Sequence, residues 1–78
     1  MNIRYEYIHF VKIEDKGKTS VWECRNNRTD HILGHVRWHG PWRQYCYFPL
    51  CQAIYSSGCL ADIQNFIKAA DELRKRGG

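Results

Sequence analysis

Between positions 60 and 73 the apolar residues Leu60, Ile63, Phe66, Ile67, Ala70 and Leu73 recur at steps of three and four. That period marks one face of an amphipathic α-helix, and it predicts a helix over about residues 58–76. Ser57 is placed to cap it, and Asp62 sits in an early turn where negative charge is favoured. Asp71 with Lys75 and Glu72 with Arg76 form i,i+4 pairs in the better orientation, and Gly77 follows as a stop signal. A lone helix of this kind needs a flat apolar partner to cover its stripe.

The segments upstream have a different period. Residues 3–14, 19–25, 32–39 and 42–48 are rich in β-branched and aromatic side chains and read as four strands. They are punctuated by "DKGK", "NNRTD" and "GP", and Pro49 ends the last, leaving residues 50–56 as a loop. The expected fold is therefore α+β: a three- or four-stranded antiparallel sheet (about 3–49) packed on one face by a single C-terminal helix, ββββα in two layers. With 78 residues there is room for one domain and one core.

Composition narrows the function classes. No apolar run is long enough for a membrane span, and "MNIRYEYIHF" lacks a signal-peptide core, so a cytoplasmic protein is expected. The formal charge is +4, with three of the twelve basic residues in the closing "RKRGG". That tail reads as a solvated helix end, and the remaining balance favours an acidic partner. The four cysteines, Cys24, Cys46, Cys51 and Cys59, form no CxxC pair and are expected as free thiols. His31, His35 and His39 recur every four residues, a ligand stripe on a helix but not on a strand, so no metal or other cofactor is expected.

Alternation sorts the strands into two faces. Even positions (Trp22, Cys24, Ile32, Gly34, Val36, Trp38, Cys46 and Phe48) are apolar or small and should meet the helix. Odd positions place Glu23, Arg25, His35, Arg37, His39, Arg43, Tyr45 and Tyr47 on the open face. The first strand does not sort cleanly, because Ile8 and Phe10 compete with Tyr7, Val11 and Ile13; a bulge would account for that.

The open face suits nucleic acid, DNA or RNA. Arg25, Arg37 and Arg43 would meet phosphates or base edges, Tyr45 and Tyr47 would stack on bases, and His35 and His39 would add charge on mild acidification. Tyrosine, tryptophan and arginine are equally the anchors of protein interfaces, so the same face could dock on a larger protein or form a homodimer. An enzyme is not expected, since no nucleophile elbow, phosphate loop or paired-carboxylate motif is present.

At "VWECRNN", "ILGHVRWHGPWRQYCYFP" and "CLADIQNFI" the chain resembles small uncharacterised proteins of bacteria and their phages or mobile elements. Trp22, Asn26, Leu33, Gly34, Val36, Trp38, Pro41, Trp42, Arg43, Tyr45 and Phe48 carry the match, which spans roughly residues 21–67. The resemblance implies a fold rather than an activity, and it makes a phage or mobile-element protein that modulates a host factor the alternative function. In topology the chain is also similar to AP2-type and integrase N-terminal DNA-binding domains, which read DNA with sheet arginines and tryptophans. Arg25, Arg37 and Arg43 match by position, whereas Trp22 and Trp38 fall on the core face.

Overall fold

The computed structural model describes residues 1–77. Its strands are β1 (Ile8–Asp15), β2 (Ser20–Asn26), β3 (Ile32–His39) and β4 (Gln44–Pro49), with a short 3-10 turn at Gly40–Trp42; the helix α1 is Ser57–Gly77. The strands lie side by side in sequence order, each antiparallel to the next. This is the ββββα arrangement expected from the alternating segments and the single helical stripe.

The helix docks through its central turns. Phe66 is fully buried, stacks on Phe10 with ring centroids 3.8 Å apart and an interplanar angle of 8°, and meets the edge of Trp22 at 5.2 Å. Ile63 and Ala70, one turn to either side, are buried with it, while Leu60 and Leu73 at the ends of the stripe are half exposed. Ser56, not Ser57, caps the helix: its hydroxyl accepts the Cys59 N–H at 3.2 Å and its carbonyl accepts that of Leu60. Glu72 pairs with Arg76 at 3.4 Å. Asp71 does other work, accepting the backbone N–H of Tyr45 at 2.8 Å and so satisfying a donor on the outer edge of β4.

The opposite edge is covered by the chain's own start. The first strand begins at Ile8 rather than near residue 3, because the preceding residues turn back beside it. Tyr5 N–H donates to the Ile8 carbonyl and Phe10 N–H to the Ile3 carbonyl, both at 2.8 Å. Asn27 fastens that turn from the β2–β3 loop, its side-chain amide donating to the carbonyls of Tyr5 and Glu6. The bulge suspected in the first strand is present: the β1–β2 register shifts between Lys12 and Glu14. Before it, Ile8 and Phe10 face the helix and are buried, leaving Val11 on the other side.

Alternation assigned β2 and β3 from Gly34 onward correctly and β4 in reverse. At the start of β3 a register shift beside Cys24 and Arg25 leaves Ile32, expected inside, exposed and packs Leu33 against the core instead. Trp22 pairs with Val36 and Cys24 with Gly34, all on the helix side. Across the next hairpin, however, Val36 pairs with Tyr47 and Trp38 with Tyr45. Tyr45 is buried and Tyr47 packs against the core, so neither stands on the open face; Cys46 and Phe48, expected inside, lie on the open side instead. The cause is the even-numbered connection Gly40-Pro41-Trp42-Arg43, which sets an odd position of β3 opposite an even position of β4.

Tyr47 also explains Gly34. A Cβ on Gly34 would lie 2.6 Å from the Tyr47 ring Cζ and 2.8 Å from the Phe48 carbonyl oxygen. The Tyr47 hydroxyl bonds that of Tyr55 at 2.7 Å, and Tyr55 donates to the Leu33 carbonyl at 2.6 Å, so the ring has no free direction to retreat. Burial raises the pKa of both tyrosines, keeping them as neutral donors. Gly34→Ala is expected to cost about 1–3 kcal/mol, the range for overpacking a well-filled core. Urea denaturation would show it as a lower midpoint with an unchanged slope.

The four cysteines are free thiols in different surroundings. Cys24 is fully enclosed, and burial pushes its thiol up to about 11, which suppresses the reactive thiolate. Cys51 is exposed. Ellman's reagent should therefore modify Cys51 rapidly in native buffer and reach Cys24 only as the domain unfolds. Fast native-state labelling of Cys24, located by peptide mapping, would contradict this packing.

Candidate functional site

The face of the sheet turned away from α1 carries two electrostatically different halves. On β1 and β2 the charges are paired. Glu23 is only 14% exposed and accepts from Arg25 Nε at 2.9 Å and from Arg25 Nη2. Arg25 Nη1 also reaches Asp30 at 3.2 Å, and the hydrogen bond to Glu23 raises the pKa of this guanidinium further above its already high ordinary value. His9 continues the network, with Nδ1 2.7 Å from the Asn27 side-chain oxygen and Nε2 3.2 Å from Asp30. A protonated His9 ring donates on both sides. Arg25, proposed from sequence as a phosphate ligand, is thus held in place by two carboxylates.

The β3–β4 half is different. Arg37 is exposed, makes no ion pair among the described residues, and lays its guanidinium carbon 4.0 Å from the centroid of Phe48. His39 meets the edge of Phe48 at 6.1 Å and of Trp42 at 5.1 Å. Trp42 is 66% exposed. Together Arg37, Phe48, His39 and Trp42 form a continuous row of one guanidinium and three rings. His35 lies beside it, paired across the sheet with Phe48 and 3.9 Å from Glu23. Val21, His35, Arg37, Phe48, Pro49 and Leu50 line a shallow groove of about 310 Å³ along the same face.

Of the residues singled out in the sequence, the structure brings Arg37, His35 and His39 together and places Arg25 nearby in its ion pairs. Tyr45 and Tyr47 belong to the core, as described. Arg43 is also displaced. It ends the 3-10 turn in the left-handed conformation (φ 53°), with its N–H donating to Gly40, and lines a cleft with Trp38, Asp71 and Arg74 on the helix side. Phe48 and Trp42 were missed as platform rings; the even length of the β3–β4 connection was the signal that could have found Phe48. His35 and His39, four residues apart on a strand, are separated by roughly 13 Å along it, too far to share a metal ion.

Among the described residues no helix is long and apolar enough to cross a membrane. No protein-family model and no solved structure matches the chain. One relative is similar over nearly the whole length: an uncharacterised 9.3 kDa protein of Acholeplasma phage L2 is 33% identical over 72 residues, covering 91% of this chain and 92% of the phage protein. The alignment thus spans the sheet, the row on its open face and the helix together, and on that extent of identity the chain belongs to the family of this phage protein.

Proposed function

We propose that the protein is a small non-enzymatic binding module that holds single-stranded nucleic acid on the β3–β4 half of the open sheet face. The observation that carries this reading is the row Arg37, Phe48, His39 and Trp42: a cation without a carboxylate partner beside rings that include an exposed indole. Bases stack on aromatic and guanidinium planes with little regard to sequence, and a neighbouring cation pairs with the phosphates. The formal charge of +4 favours the same class of partner. The likeness to AP2-type domains adds topology alone, since Arg43 lies on the helix side and Trp22 is buried.

A host protein is the second reading. It is favoured by the neutralisation of Arg25 and by exposed Ile32 and Leu50, which give a polyanion less to hold than a protein surface would. Kinship with a phage protein is compatible with either partner.

Titration of labelled single-stranded and duplex DNA and RNA at about 50 and 200 mM salt separates the two. Single strands should bind more tightly than duplexes and weaken as salt rises. Trp42→Ala is expected to lose about 1–3 kcal/mol, the worth of one stacked base, and Arg37→Ala a comparable amount, both with unchanged melting temperature. Undiminished binding by the double variant would remove the platform from the account. Absence of binding at low salt would turn the search to a protein partner.

A further inference from the structure

On the helix side of the sheet, across from the Arg37–Trp42 row, a cavity of about 320 Å³ opens between the β1–β2 turn and the later turns of α1. That is the lower end of the size range for small-molecule sites. Its inner wall is apolar, formed by Trp22, Tyr45, Ala70 and Leu73, the first three of them core residues. Its polar lining is mainly cationic: Lys12, Lys18 and Arg74 stand against the single carboxylate of Asp15.

That carboxylate is already engaged, 3.9 Å from Lys12 Nζ and accepting the Gly17 N–H at 2.9 Å. Lys18 and Arg74 make no ion pair among the described residues. Arg74 is held in place, its guanidinium carbon 4.0 Å from the Trp38 ring centroid, yet its buried Nε has no hydrogen-bond partner. An unmet donor on a cation is costly to bury, and an oxyanion paired with the same guanidinium would offset that cost. Tyr45 adds a further donor, because its hydroxyl accepts the Ser20 N–H at 3.1 Å and keeps its own proton to give.

We propose that this cavity binds a small aromatic anion, a flat ring bearing a carboxylate or a phosphate. The ring lies against Trp22 and Leu73, and the anionic end pairs with Arg74 and Lys18. The site is separate from the nucleic-acid platform and does not depend on it.

The test is an NMR titration of the full chain with four probes: indole-3-acetate and adenosine 5′-monophosphate, each beside its uncharged counterpart, indole and adenosine. At least one charged probe should saturate below about 1 mM, with shifts at the Trp22 indole and the Ser20 and Tyr45 amides. The uncharged counterpart should bind roughly tenfold more weakly or worse, the scale of one lost charge-assisted hydrogen bond. Whichever charged probe binds tells carboxylate from phosphate. Arg74→Gln and Lys18→Gln should each weaken binding by a similar factor, whereas Arg37→Ala with Trp42→Ala should leave it unchanged. Lys18 is exposed in the turn, so its variant serves even where loss of Arg74 disturbs the packing on Trp38. Equal binding of charged and uncharged probes, saturation by neither anion, or full affinity in Lys18→Gln would overturn the proposal.

Discussion

The parallel contact between Phe66 and Phe10 organises this domain. It ties the helix, whose backbone runs closest to β4, across to β1 and β2, with Trp22 closing the third side of the aromatic cluster. In a chain this short the large area each ring removes from water has to stand in for a larger core. The seating then dictates the rest. One face of the sheet is consumed by the helix, so the other is left for a partner. The later turns of α1 are fixed to β4 and β3 through Asp71 on the Tyr45 N–H and Arg74 on Trp38. Between those two anchors and the β1–β2 turn lies the cationic cavity.

Charge on the open face follows a similar division of labour. Glu23 is largely enclosed between Arg25 and His35, and a carboxylate so placed needs its partners. Arg25 is spent on that need and on Asp30, which also ties the β2–β3 turn to His9 and thus to β1. Ionic groups there hold strands and loops together. Arg37 stands outside the network with only a ring beneath it, and that freedom separates a candidate ligand-binding arginine from a structural one.

Much of the architecture was legible in the chain. The three-four spacing around Phe66 marked the helix, and β-branched and aromatic runs between turn residues marked the strands. Alternation in "SVWECR" and "ILGHVRWH" assigned Trp22, Cys24, Gly34 and Val36 to the core side. The bulge near Ile13 was visible as a conflict of periods. What failed was the facing of Ile32 and Leu33, where a register shift intervenes, and of the whole fourth strand. Alternation is a property of one strand, whereas the relative phase of two strands is set by the loop that joins them. Four residues between His39 and Gln44 invert the phase, so Tyr45 and Tyr47 exchange sides with Cys46 and Phe48. The helix cap moved by one residue, to Ser56, for a smaller reason: two adjacent serines offer the same hydroxyl, and the approach of the loop decides which one faces the free N–H groups.

The sequence by itself determined the elements, their order and the composition of most of the core, because those depend on periods within short segments and on the burial of large apolar side chains. Tertiary structure alone decided which arginine is free, which rings are exposed and that Arg74 keeps a buried donor unmet. Those outcomes depend on pairing register, on the left-handed turn at Arg43, and on carboxylates brought from distant positions, such as Asp30 to His9 and Asp71 to Tyr45. A short stretch of sequence carries no record of distances between residues that meet only after folding.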